Sequence, residues 1–261
     1  MEYFEKVEEN IAKDLLWNIP ERKRGVVNVI GGNGQNFRTP VKVAEYLAEK
    51  YPVETVNLIL PDALRNKLPP MSNFKFLKST EIGSFADNTE LVANMDSGDY
   101  NLLIGDLSKN AITGKAVVSA CVSSEKPMLI TRDAVDLVAE NGPEKLLLNE
   151  NLIIFGSLVQ IQKILRAVYY PKILLLSQSL VQVVEVLHKF TLSYPVSIVT
   201  LHNSQILVVK DGAVKAVPME KSGYSPMMLW SGELAAKIVA LNLYNPNDFI
   251  SATIAAILQV E

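Results

Sequence analysis

Apolar residues in this chain follow two rhythms. Short unbroken runs alternate with stretches in which apolar positions recur every three or four residues. Unbroken runs suit strands buried on both faces, and the wider spacing suits helices packed on one side. Gly25-Val26-Val27-Asn28-Val29-Ile30 predicts a strand, followed by a turn at Gly31-Gly32-Asn33-Gly34 and a helix over residues 40–50. Thr55-Val56-Asn57-Leu58-Ile59-Leu60 predicts the next strand, stopped by Pro61. Strand, glycine turn, helix and strand make a βαβ unit, which implies parallel pairing. The unit recurs, with further strands expected at 100–104, 127–130, 151–155, 173–176 and 196–200. Helices are expected over 113–123, 157–168 and 179–191. The fold class that follows is α/β, with a central, mostly parallel sheet covered on both faces.

Two stretches break this rhythm. Residues 205–210 and 213–218 are apolar runs joined by Asp211-Gly212, the sequence of a hairpin with a type I′ turn. At the other end, Phe4, Val7, Ile11 and Leu15 recur at helical spacing, so residues 2–17 predict an amphipathic helix that ends before Pro20. That helix could cover a neighbouring subunit as easily as its own sheet, which leaves self-association open. The last two helices are expected over 233–243 and 246–258, with Asn245 capping the second. No internal repeat or low-complexity linker interrupts the pattern. The expected organisation is an N-terminal helix and linker over 1–24 and a single domain over 25–261.

Composition narrows the function classes. The chain has 261 residues, 49% hydrophobic and 20% charged, with a formal net charge of −3. That balance suits a globular protein and argues against a nucleic-acid surface. No apolar run approaches the ~18 residues of a membrane span, and the acidic N-terminus is unlike a signal peptide, so a cytoplasmic protein is expected. A single cysteine, Cys121, lies in an apolar helical run and reads as a buried, inert thiol. With only His188 and His202 besides, a Cys/His metal site has no support, and no metal ligands are assigned.

Candidate chemistry gathers where strands end. Taking Gly32 and Gly34 as the first two glycines of a dinucleotide fingerprint puts Phe37 at the third, so that pattern fails, and Gly114-Lys115 lacks the rest of a phosphate-binding loop. What remains is a glycine turn at the carboxyl end of a parallel strand, where ligands bind in open α/β sheets. Asp62, Asp106 and Asp133 also follow strands. Ser231-Gly232-Glu233 opens an apolar helix whose free N–H groups favour an anion.

In this order the motifs resemble the ribokinase-like superfamily, and specifically its ADP/ATP-dependent NAD(P)H-hydrate dehydratase branch, from about Gly25 to the C-terminus. Val29-Ile30-Gly31-Gly32-Asn33 is similar to the family's V-I-G-G-S. Leu103-Ile104-Gly105-Asp106-Leu107 stands at its I-G-P-G-L-G, and residues 127–135 at its P-l-V-l-D-A-D-A-L. Leu229-Trp230-Ser231-Gly232-Glu233-Leu234-Ala235 stands at G-G-S-G-D-V-L-A. The resemblance implies a three-layer α/β/α sandwich that uses ADP or ATP with Mg²⁺. Its reaction phosphorylates the hydroxyl of hydrated NADH or NADPH and then eliminates phosphate to restore the reduced nucleotide.

Carried over residue by residue, Glu233 takes the general-base role. Ser231 and Gly232 form the anion hole, with His202 and Asn203 beside the nucleotide. Gly31, Gly32, Asn33, Gly105, Asp106 and Asp133 contact the substrate. The sequence departs from the pattern at several of these places. Glu233 replaces Asp, which moves the carboxylate by ~1.5 Å, where ~1 Å can cost about a hundredfold in rate. Leu229 and Trp230 replace glycines, His202-Asn203 replaces Lys-Gly, and Phe155-Gly156-Ser157 lacks the family's Pro-His-x-Gly-Glu. A catalytically degenerate ligand-binding or scaffold protein, or a small-molecule kinase of the same superfamily, is therefore the alternative expectation.

Overall fold

The computed structural model describes residues 2–7 and 19–258. Its strands are β1 (Phe4–Lys6), β2 (Val26–Gly31), β3 (Thr55–Pro61), β4 (Phe74–Leu77), β5 (Tyr100–Gly105), β6 (Met128–Thr131), β7 (Leu152–Phe155), β8 (Ser197–His202), β9 (Gln205–Lys210) and β10 (Ala213–Pro218). The helices are α1 (Arg38–Lys50), α2 (Asn88–Asp96), α3 (Ala111–Ser123), α4 (Asp133–Glu140), α5 (Leu158–Ala167), α6 (Leu180–Ser193), the single turn α7 (Met219–Ser222), α8 (Glu233–Tyr244) and α9 (Phe249–Leu258).

All ten strands form one sheet in the order β1-β10-β9-β8-β7-β6-β5-β2-β3-β4. Among the described strands only β8–β9 and β9–β10 pair antiparallel. Side chains on one face of the sheet pack with α1, α8 and α9, and those on the other face with α2 through α6. This is the three-layer α/β/α sandwich expected above. Central strands are apolar on both faces because both faces are covered; every residue of β5 is buried.

One polar feature crosses this core. Asn28 pairs in register with Asn57 of β3 and with Asn101 of β5. Asn57 Nδ2 donates to Asn28 Oδ1 at 2.9 Å, and Asn28 Nδ2 donates to Asn101 Oδ1 at 3.0 Å. Asn101 Nδ2 ends the ladder on the Met95 carbonyl at 3.2 Å. Buried amides are costly unless bonded, so the ladder favours one register of three parallel strands over its slipped alternatives.

Several expectations are corrected. Phe4–Lys6 is a strand, paired parallel to β10, where a helix over 2–17 was expected; residues 8–17 lie outside the described residues. The apolar spacing that suggested a helix also fits an edge strand with Val7 packed into the core. Ile173–Leu176 forms no strand. β7 pairs directly with β8, leaving no free edge between them, and side chains take the segment's N–H groups instead. Gln162 accepts from Leu174 N, and Gln178 accepts from Leu175 N at 2.8 Å. α9 begins at Phe249, not at 246. Asp248 caps it, accepting from Ser251 N at 3.1 Å, while Asn245 closes α8 through the Leu241 carbonyl at 2.9 Å. The hairpin stands as expected, with Asp211 and Gly212 both at positive φ (50° and 78°).

Candidate functional site

The chain steps outward from β2 to β3 and β4, then returns to place β5 on the other side of β2. This reversal opens a crevice between the carboxyl ends of β2 and β5, the place where open α/β sheets bind ligands. Gly31, Gly32 and Asn33 leave β2 on one side of it, and Gly105 and Asp106 leave β5 on the other. Gly32 N donates to Gly105 O at 2.9 Å, which ties the two loops together. Gly105 must be glycine: its φ is 94°, and a Cβ there would lie 2.0 Å from Asp133 Oδ1.

α8 points its N-terminus at this crevice. Gly232 holds the N-cap position with φ 103°, and a Cβ there would press on Val43 of α1 and Ile104 of β5. Ser231 Oγ accepts weakly from Glu233 N at 3.4 Å, while the N–H groups of Leu234 and Ala235 have no partner among the described residues. These donors and the helix dipole make the mouth of α8 attractive to an anion. Glu233, in the first turn, forms an ion pair with Lys42 of α1 at 3.0 Å.

The neighbouring carboxylates are already engaged. Asp133 accepts from Asp106 N at 2.8 Å and from Leu107 N at 2.9 Å, fixing the loop after β5. Burial pushes its carboxyl above the ordinary value; those two bonds pull it back in part, and the nearby Asp106 charge pushes it up again. Asp106 accepts from Thr39 N at 3.3 Å and from Arg132 Nη2 at 3.0 Å, and its own carbonyl accepts from Asn33 Nδ2 at 2.6 Å. The first turn of α1 thereby gains the cap that Phe37, at its N-cap, does not supply. Asn33 Oδ1 in turn accepts from Gln35 N and Asn36 N at 2.9 and 3.0 Å. Asn33, Asp106 and Asp133 form one network that shapes the crevice.

Arg132 and Lys42 were not singled out from the sequence. Arg132 sits at φ 57° and ψ −136°, a costly conformation for a side-chain-bearing residue and one that clusters at functional sites. Its guanidinium reaches from the end of β6 to the Trp230 carbonyl at 2.9 Å and to Asp106. It therefore sets a cation beside the mouth of α8. The only sequence signal was its place between a strand end and Asp133. Lys42 gave none, because its partner lies 191 positions away.

The structure separates other expected residues. Leu229 is buried in the core and does not crowd the helix mouth. Trp230 packs at a tilt against Phe155 at the end of β7, with ring centroids 5.1 Å apart. His202 and Asn203 lie on the same rim of the sheet, but β8 stands three strands from β5, about 14 Å away at the usual strand spacing. His202 is buried with Nε2 2.8 Å from Gln178 O, and Asn203 is exposed in a tight turn at φ 47°.

The residues at the helix mouth fit a phosphate, with open backbone donors, a glycine that lets the chain approach, and Arg132 alongside. They do not fit a resident Mg²⁺. Among the described residues no three His, Cys, Asp or Glu side chains converge to hold a metal, and Asp106 and Asp133 are spent on N–H groups and Arg132.

Against proteins of known structure, the chain has a ribokinase-like fold. It resembles a ribokinase-like superfamily protein of Enterococcus faecalis V583 (14% identity, TM-score 0.67, covering 99% of this chain and 86% of that one). It resembles a hypothetical protein of Streptococcus mutans equally well (15%, TM-score 0.67, 97% and 88%). The ADP/ATP-dependent NAD(P)H-hydrate dehydratase of Bacillus subtilis, crystallised with ATP and Mg²⁺, shares the fold at 11% identity (TM-score 0.61, 95% and 84%). No family model and no curated protein sequence matches the chain.

Proposed function

We propose that the crevice between β2 and β5 is a divergent phosphoryl-transfer site of the hydrate-dehydratase type. ADP or ATP is the donor, and the acceptor is the hydroxyl of hydrated NADH or NADPH. Glu233 takes the hydroxyl proton, and Ser231, Gly232 and the free N–H groups of α8 hold the transferring phosphoryl group. Gly31, Gly32 and Gly105 let the acceptor approach backbone, in walls set by Asn33, Asp106 and Asp133. Asn203 meets the nucleotide at the far side of the rim, its turn braced by His202. Any Mg²⁺ arrives with the nucleotide. The observation that carries this reading is the mouth of α8: a left-handed glycine, open N–H groups and a first-turn carboxylate at the topological switch point.

A second reading, ligand binding without turnover, is favoured by the Lys42–Glu233 ion pair and by Trp230 beside the helix mouth. One experiment separates the two. Hydrated NADH is incubated with ADP or ATP and Mg²⁺, recovery of reduced-nicotinamide absorbance is followed, and nucleotide affinity is measured by calorimetry. Turnover that falls about a hundredfold in Glu233→Ala supports the enzyme. Nucleotide binding with no turnover above that variant supports the silent site. Neither binding nor turnover sinks both.

A further inference from the structure

At the opposite, amino-terminal rim of the sheet, a cleft of about 440 Å³ opens between the starts of β5, β6, β7 and β8 and the turn from α8 to α9. Its volume falls within the ~300–1,000 Å³ of small-molecule sites. Tyr100, Ile153, Leu243 and Phe249 give it apolar and aromatic walls. Three polar side chains in its lining are almost fully buried: Tyr100 is 4% exposed, Ser197 1% and Asn242 5%.

The fold uses these groups only in part. Neither the Tyr100 nor the Ser197 hydroxyl has a hydrogen-bond partner among the described residues. Asn242 donates to Ile238 O and Thr253 Oγ1 at 2.8 and 3.2 Å, and its carbonyl oxygen accepts nothing there. Burial alone holds the Tyr100 phenol far above its ordinary value, so it stays a neutral donor. Polar atoms left open on an apolar cleft wall are free to fix the orientation of a bound ligand.

Two cations stand at the edge. Arg24 lies 5.9 Å from the centroid of the Tyr244 ring and Lys210 lies 5.7 Å from that of Phe249. Neither forms an ion pair among the described residues. Of the two carboxylates in the lining, Asp99 is engaged by Val26 N at 2.9 Å, and Glu150 is exposed.

We propose that this cleft is a second ligand site, separate from the crevice at the other rim, and that it takes a flat aromatic carboxylate. The ring lies between Tyr100 and Phe249, with Tyr100 and Ser197 donating to its polar substituents, and the carboxylate meets Lys210 and Arg24.

The test titrates the full chain with three probes of one shape, each with a ring hydroxyl for Tyr100 and Ser197: 6-hydroxy-2-naphthoate, 6-hydroxy-2-naphthylmethanol and 6-hydroxy-2-naphthylmethylamine, by calorimetry and by amide NMR. The expected result is one site that prefers naphthoate by about tenfold over the alcohol. It should shift the Asn242 side-chain amide and weaken by about tenfold in Lys210→Gln and severalfold in Tyr100→Phe. Three results would overturn the proposal: no binding at millimolar probe, equal or better binding of the amine, or affinity unmoved in both folded variants.

Discussion

Lys42 and Glu233 show how a single contact can matter for chemistry and little for stability. The lysine is mostly exposed and the pair is worth about 0–1 kcal/mol, so Lys42→Met should leave the urea midpoint nearly unchanged. The same variant frees the Glu233 carboxylate. If Glu233 is the base, turnover of hydrated NADH should rise in Lys42→Met; a fall would mean that Lys42 serves the substrate.

Two neighbouring carboxyls carry opposite pH signatures. Burial raises Asp133 above the ordinary value of 3.8. The folded chain therefore binds an extra proton in the window above 3.8, and Asp133's contribution to stability is fully present below 3.8 and lost as pH rises through its folded value. For Asp136, burial alone would raise the value, but hydrogen bonds from Lys163 and Gln160 outweigh it and hold the group below 3.8. Its contribution is present above 3.8 and is lost as pH falls through the lower folded value. Urea midpoints measured between about pH 2 and 6 should separate them. Asp133→Asn removes the decline just above 3.8, and Asp136→Asn removes part of the loss at the acid end.

Among the elements, the asparagine ladder and the helix caps make separable contributions. Replacing Asn28 by Leu strands the Asn57 amide and the Asn101 oxygen in the core, at a cost of about 3 kcal/mol. Chemical denaturation reads this directly, and replacing all three asparagines with apolar residues should recover part of it. α5 and α6 each begin with a complete capping box, Ser157 with Gln160 and Ser179 with Gln182. Each Ser→Ala change should cost about 1 kcal/mol, and the two should add because no partner is shared.

These elements also mark how far the sequence could be read. Strands β2, β3, β5 and β7 were legible because unbroken apolar runs have one sensible place, a doubly covered sheet. The same logic misread Ile173–Leu176, where the run is apolar but the sheet has no vacant edge. β4 went unread, at the other edge of the sheet, where only one of its four residues is buried.

Across the whole molecule, the edge of β10 is closed by β1, with Glu5 ion-paired to Lys215. Deleting residues 1–7 would expose the N–H and C=O groups of an apolar edge strand, a template for pairing with another chain. Sedimentation velocity should then show stronger concentration-dependent self-association than the full chain does. Unchanged sedimentation would mean that β1 does not guard that edge.

The α/β class, the parallel pairing of the early strands and the Asp211-Gly212 hairpin followed from local rules, because burial pattern and turn chemistry act over a few residues. The candidate site followed only in part. Ser231-Gly232-Glu233 announced a helix mouth on its own, since capping is local. Its surroundings were decided by chain reversal between β2 and β5, which brings Lys42, Asp106 and Arg132 to it from distant parts of the chain. Whether a carboxylate is free, spent on a loop or ion-paired depends on neighbours that spacing does not name. That is why the loop bonds that Asp133 and Asn33 accept, and the place of Arg132, emerged only once the chain was folded.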